Sequence, residues 1–278
     1  MPEQVEGRLL LAPAKLTLSL RVTGVREDGL HTLESEMVSV SLFDELRVFP
    51  SSEATETEIS MTDPLGLSEM GFPLAEVPLG GGNLIVRAMA MAGVRGRVEL
   101  AKRIPPGAGL GGGSADAAAV LRVLLPELDT RAALALGSDV PFCVSLRRSM
   151  VKGVGDEIDP LPPGGGRWVL FLIPLHSPTG AVYGAYDQGA RGDFEESGND
   201  LEEAAIAIVP ELARYREVIA DKIGIRPRMA GSGSTYFAEG SLASLGLEGM
   251  AHLEPRAVAL AGSGLRCVAV EVREVNAL

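Results

Sequence analysis

Three features of this chain are spaced for chemistry: a glycine-rich loop, a lysine among small apolar neighbours, and an aspartate held just before an apolar segment. The loop, Pro105 to Ala119, reads PPGAGLGGGSADAAA and carries glycine at 107, 109, 111, 112 and 113. Glycines contribute no packing, but they allow positive φ and let a ligand approach the backbone closely. An alternating run before the loop, 98–102, predicts a strand, and the alanine-rich run after it predicts a helix. A loop at a helix start offers free N–H groups and the positive end of the helix dipole to an anion. This stretch therefore reads as a phosphate cradle made by Pro105, Pro106, Gly107, Ala108, Gly109, Leu110, Gly111, Gly112, Gly113, Ser114 and Ala115.

Better-known cradles fit less well. Gly107 to Gly112 matches the pattern G-x-G-x-x-G, but the following segment, 124–129, reads as a helix end and a turn. A dinucleotide site would need a βαβ unit there, with an acidic residue about 20 residues on. Gly107 to Ser114 has the spacing of a P-loop, with Gly113 where that motif has lysine. Positive charge must then come from elsewhere, and Lys102 and Arg103 just before the loop are placed to supply it. A flexible linker is the bland reading, and the strong helix that follows argues against it. Asn83 caps a predicted helix over 84–91 whose start lies toward the nucleotide base.

Lys15 sits in Ala12-Pro13-Ala14-Lys15-Leu16-Thr17, inside a predicted strand or bent strand pair over 8–24. It is either a snorkelling edge residue or an amine with room to reach a ligand. Asp139, in Ser138-Asp139-Val140-Pro141-Phe142, follows a predicted short helix over 130–136 and precedes what reads as an apolar strand. A turn residue would look the same, but a carboxylate at the mouth of a buried strand also suits a proton acceptor. His31 opens a further strand and, taken alone, is more often structural than chemical.

Around these residues the chain alternates strands and helices without a regular βαβ repeat, which predicts an α+β fold. Glycine and proline concentrate over 156–167, which marks a boundary between an N-terminal domain, 1–158, and a C-terminal domain, 159–278. In the second half, a buried strand begins at Arg167 and helices are expected from 181, 202 and 210. A second glycine loop, 229–235, precedes a strand, and a helix near 253–263 and a strand over 266–272 close the chain. A net charge of −12 over 278 residues argues against nucleic-acid or membrane-surface partners, though not against a nucleotide. Cys143 and Cys267 give neither a disulfide framework nor metal spacing. The acidic N-terminus lacks the apolar core of a signal peptide, so a cytoplasmic enzyme is expected.

The loop resembles the P-x-G-x-G-L-G-G-S-S-A-type motif of the GHMP kinases, which act on galactose, homoserine, mevalonate and phosphomevalonate. Four segments narrow the resemblance to the 4-diphosphocytidyl-2-C-methyl-D-erythritol kinases: 12–16, 26–33, the glycine loop, and 136–142. Segments 199–202 and 229–234 extend it into the second half. The resemblance implies a two-domain α+β kinase with its site in the cleft, using ATP with Mg²⁺ and no dedicated metal ligands. Lys15 and Asp139 would form the catalytic pair, with Ser114 reaching phosphate or metal. Thr17, His31, Thr179 and Tyr183 would face a cytidine-diphosphate-linked methylerythritol in a monomer or weak homodimer, with Tyr183 stacking on the cytosine.

The chain departs from that pattern at three places. Thr17 replaces the usual Asn, Leu30 replaces a Tyr before the histidine, and 145–150 replaces a Gly-Gly-Thr-Ala run. An aromatic stacking partner is worth roughly 1–3 kcal/mol per base, so Leu30 bears on the cytidine end of the site. The competing readings are a sister kinase with another alcohol acceptor, and a nucleotide-binding paralogue that has lost transfer. Retention of Lys15 and Asp139 speaks against the second.

Overall fold

The structure, a computed structural model, describes residues 7–247, 256–259 and 265–276. Its first half holds the strands β1 (Arg8–Val25), β2 (His31–Pro50), β3 (Thr57–Thr62), β4 (Gly96–Ala101), β5 (Ser149–Gly153) and β6 (Glu157–Pro160). The helices there are α1 (Leu84–Met91), α2 (Gly112–Leu124) and α3 (Val140–Ser145). The second half contributes β7 (Arg167–Leu172), α4 (Thr179–Asp187), α5 (Phe194–Ser197), α6 (Glu202–Ile208), α7 (Glu211–Ile223), β8 (Arg228–Met229), β9 (Tyr236–Glu239), β10 (Arg256–Ala259) and β11 (Arg266–Val275).

The sheet is organised along β2. One edge pairs with β1 over nearly its whole length, with irregularities at Pro13/Ala14 and Thr17/Ser19. The other edge pairs in succession with β5, β11 and β4. Through β11 the sheet continues as β7-β9-β8. β7 is buried on both faces: Trp168, Leu170 and Leu172 join the core under α1–α3, while Val169, Phe171 and Ile173 join the core under α4, α6 and α7. Two-sided burial accounts for an uninterrupted apolar run where one-sided burial would give alternation.

Two expectations are corrected. Val140–Ser145 is a helix, so Asp139 stands at a helix N-cap and not before a strand. Pro141, in the first turn, pre-sets a helical φ where an amide is not needed. A six-residue apolar run does not by its pattern distinguish strand from helix. The helix expected near 253–263 is contradicted at 256–259, which pair as a strand with β11; its remaining residues lie outside the described ones. Among the described residues, no helix is long and apolar enough to cross a membrane. Cys143 and Cys267 are free and buried.

Along β2 the inward positions are Leu42, Asp44, Leu46 and Val48, so Asp44 places a carboxylate in the core phase of the strand. Its Oδ1 accepts from the amides of Arg103 and Ile104, and its Oδ2 accepts from Lys102 Nζ. Lys102 Nζ also reaches Asp116 Oδ2 on α2 at 2.9 Å. All three groups are buried. This cluster ties β2, the end of β4 and the first turns of α2 together where the glycine loop begins and ends. Removing one member of a buried ion cluster typically costs about 3–5 kcal/mol. Asp44→Ala should therefore lower unfolding stability by about that amount in urea denaturation; an unchanged midpoint would show that the cluster is not holding the loop.

Candidate active site

The glycine loop, the start of α2 and the N-cap of α3 surround a cavity of about 530 Å³, closed on the far side by the 231–233 turn and the chain around Ser177. A larger open depression of about 840 Å³ beside Arg47 and Phe49 lacks any of these elements. Glycine is required in the loop for two different reasons. At Gly109 (φ +77°) a Cβ would stand 2.3 Å from the carbonyl oxygen of Ala230, so the two glycine loops pack backbone to backbone. At Gly111 (φ +65°), the N-cap of α2, a Cβ would stand 2.7 Å from Lys15 Cγ. The first-turn amides of α2 have no partner four residues back, and this end of the helix dipole is positive.

Beneath Gly111 lie Lys15 and Asp139. Lys15 lies in β1 between the irregularities at Pro13/Ala14 and Thr17/Ser19, and its backbone amide donates to Leu110 O at 3.0 Å, fastening strand to loop. Its Nζ stands 3.4 Å from Asp139 Oδ2 and donates to Thr17 Oγ1 at 3.2 Å. The lysine side chain is 7% exposed and the aspartate 31%, so the amine is fixed while the carboxylate opens to the cavity. Tyr183 also lines the cavity; burial and the charge of Asp139 push its hydroxyl up to about 12.

The remaining expected residues are placed as follows. Pro105, Pro106, Gly107, Ala108, Gly109, Gly111, Gly112, Gly113 and Ser114 line the cavity, whereas Leu110 and Ala115 turn into the core. Asn83 reaches the cavity wall, but its side chain caps α1 through Ile85 N and donates to Pro78 O. Lys102 touches the cavity with its ammonium already engaged by Asp44 and Asp116, so it is no free substitute for the lysine absent at 113. Thr17 is buried under Lys15 and is not on the cavity wall. His31 is likewise off the wall: its Nε2 pairs with Asp187 Oδ1 at 2.8 Å, and its ring lies 4.6 Å from that of Tyr183. Thr179 lines the cavity and shares a 2.9 Å hydrogen bond with Ser232. Asp44, Asp116 and Asp187 were not anticipated as site-building residues. Asp44 had a signal, a charge in the apolar phase of a strand; Asp187 had none, because its partner lies 156 residues away. Among the described residues, no three His, Cys, Asp or Glu side chains converge as a metal site.

Two outcomes follow from this geometry. At Gly113 a Cβ would meet only Leu84 Cδ1, at 3.9 Å, so the protein leaves room there and the free space belongs to the cavity. Gly113→Ala should raise thermal stability, by up to about 1 kcal/mol, while raising the KM for nucleotide; a stabilised variant with unchanged KM would show that no ligand uses this space. The second concerns Asp116, whose carboxyl is pushed up to about 8 by burial, against the pull of Lys102 and with the added push of Asp44. From its unfolded value of 3.8 up to about 8, the folded state holds a proton that the unfolded state releases. Stability from this residue is therefore lost as pH rises through that window. Asp116→Asn should flatten the decline, measured as urea midpoints between pH 5 and about 8.

Comparison with known proteins bears on the same residues. Residues 83–145 match the N-terminal domain of the GHMP kinases, a span that runs from α1 through the glycine loop to α3. A protein of Paracoccus denitrificans named 4-diphosphocytidyl-2-C-methyl-D-erythritol kinase is 38% identical over 81% of this chain and 84% of its own. One of the same name from Cereibacter sphaeroides is 35% identical over 81% of this chain and 87% of its own. Among solved structures, a 4-(cytidine 5′-diphospho)-2C-methyl-D-erythritol kinase superposes with a TM-score of 0.66 at 31% identity, over 96% of this chain and 100% of the other. A mevalonate kinase shares the fold at 13% identity, with a TM-score of 0.54 over 97% of this chain and 100% of the other.

Proposed function

The chain belongs to the 4-diphosphocytidyl-2-C-methyl-D-erythritol kinases of the GHMP class, and from that membership we propose how its own residues carry out the transfer. It is an ATP-dependent kinase that phosphorylates the tertiary hydroxyl of its acceptor in the non-mevalonate route to isoprenoid precursors. The observation that carries the mechanism is the Lys15–Asp139 pair, 3.4 Å apart and directly under Gly111 of the glycine loop.

In this reading the loop from Pro105 to Ser114 wraps the ATP phosphates, with the first-turn amides of α2 as donors. Asp139 accepts the proton of the acceptor hydroxyl as its oxygen attacks the γ-phosphorus and the bond to the β-phosphate oxygen breaks, leaving ADP. Lys15 orients the carboxylate and offsets charge on the transferring group. Phosphoryl transfer depends chiefly on such positioning and electrostatics. The site suits a Mg²⁺ that arrives on the nucleotide, since Mg²⁺ commonly keeps phosphate and water ligands and takes only one or two from protein. Ser114 is the oxygen donor that would hold it, and it would neutralise phosphate charge. Tyr183 and Thr179 would line the acceptor end, with the His31–Asp187 pair backing Tyr183. The two halves, 1–158 and 159–278, would flank this cleft in a cytoplasmic monomer or weak dimer.

The test is ADP release from Mg-ATP with the cytidine-diphosphate-linked methylerythritol. Turnover should collapse in Asp139→Asn by about 10²–10⁴-fold and fall in Lys15→Met, with nucleotide binding kept in Asp139→Asn. A wild type that binds ATP and turns over only other alcohols would reject this acceptor, and an active Asp139→Asn would reject the base.

A further inference from the structure

A site for two polyphosphates needs cations or donors, and the side chains lining this cavity offer few that are uncommitted. Lys15 is matched to Asp139, and Lys102 is shared between Asp44 and Asp116. Glu76 adds a negative charge to the wall. His176 is the other ionisable group there besides Tyr183, and it is engaged in no hydrogen bond or ion pair among the described residues. It lies between β7 and α4 on the cavity wall, and it is exposed. Its ring rests on the loop backbone: a Cβ at Gly107 would come within 2.6 Å of His176 Nδ1 and 3.1 Å of Cε1. Ring and loop therefore meet at the first glycine of the proposed phosphate cradle.

We propose that His176 is a phosphate-binding residue for the nucleotide, supplying from the second half of the chain the donor that Gly113 does not. This rests on the reading of the glycine loop as the ATP site. An imidazole can donate to a phosphate oxygen when neutral and adds charge when protonated. Its placement at Gly107, at the loop's entry, directs it to the nucleotide phosphates and not to the acceptor diphosphate. Leu84 and Gly113 face the cavity from the α1–α2 side, so the nucleotide would be gripped from both halves.

The experiment measures binding of ATP, ADP and AMP by calorimetry, and KM for each substrate, in wild type, His176→Ala and His176→Lys. His176→Ala should weaken ATP and ADP by roughly tenfold, the scale of one charge-assisted hydrogen bond, and leave AMP within about twofold. His176→Lys, which restores a cationic donor, should recover most of the loss; a residue that merely packs on Gly107 would not be rescued this way. Equal weakening of all three nucleotides, or none, overturns the proposal while leaving the kinase reading intact. A rise in acceptor KM with ATP binding unchanged overturns it in favour of the acceptor diphosphate. Failure of the wild type to bind ATP at all would overturn the loop reading beneath it.

Discussion

A loop of glycines cannot hold its own shape, and in this protein the buried Lys102 ammonium between Asp44 and Asp116 does that for it. The three groups sit where the chain leaves β4 and where α2 begins, so the loop is stretched between two points whose separation is fixed electrostatically. Burying an ammonium with two carboxyl groups is costly, and such clusters seldom add much net stability over an apolar core. What this one adds is definition. Asp44 satisfies the amides of Arg103 and Ile104 just as the chain turns, and backbone donors left bare there would themselves cost about 1–3 kcal/mol each. Midway along, Leu110 O takes the amide of Lys15, so strand and loop move as one.

The same arrangement settles an apparent conflict between charge and ligand. A chain of net charge −12 that binds a polyanion cannot rely on its overall field. It must rely on local dipoles at short range. On the proposed reading the amides at the start of α2 provide these, and their value depends on an approachable glycine backbone, in keeping with the free space at Gly113 that the protein itself does not fill. Lys15 offers a second local charge, held at 3.4 Å from Asp139; on the proposed reading it would act on both the base and the phosphate.

Much of this was legible in the sequence, because the signals were local. The glycine loop, the Asn83 cap and the strand β1 each follow from residues within a few positions of one another. What escaped depended on distance or on near-degenerate local preference. Val140–Ser145 is short and apolar, and Pro141 in its first turn was a better guide than hydrophobicity. His31, taken alone, reads as more often structural than chemical, and only the resemblance turns it toward the acceptor; its partner Asp187 comes from α4, and no spacing rule connects the two. Thr17 was assigned to the acceptor, but two residues along a strand from Lys15 it lies under the lysine and shapes the amine, not the pocket. Its difference from the usual Asn therefore bears on Lys15 more than on acceptor choice.

That shift concentrates the question of acceptor specificity at Leu30, His31 and Tyr183. Leu30 is 53% exposed and presents no aromatic face. Tyr183 instead finds a ring partner within the protein, His31, tilted by 31° and tethered by Asp187. A stack already made inside the protein holds the tyrosine in place before any base arrives, which lowers the ordering cost of binding. It also leaves one face of Tyr183 for the base, where a second aromatic residue at position 30 would have offered another. On the proposed reading, this chain recognises its acceptor with fewer stacking contacts and a more rigid remaining one, so that hydrogen bonding and the Lys15–Asp139 geometry carry more of the selectivity.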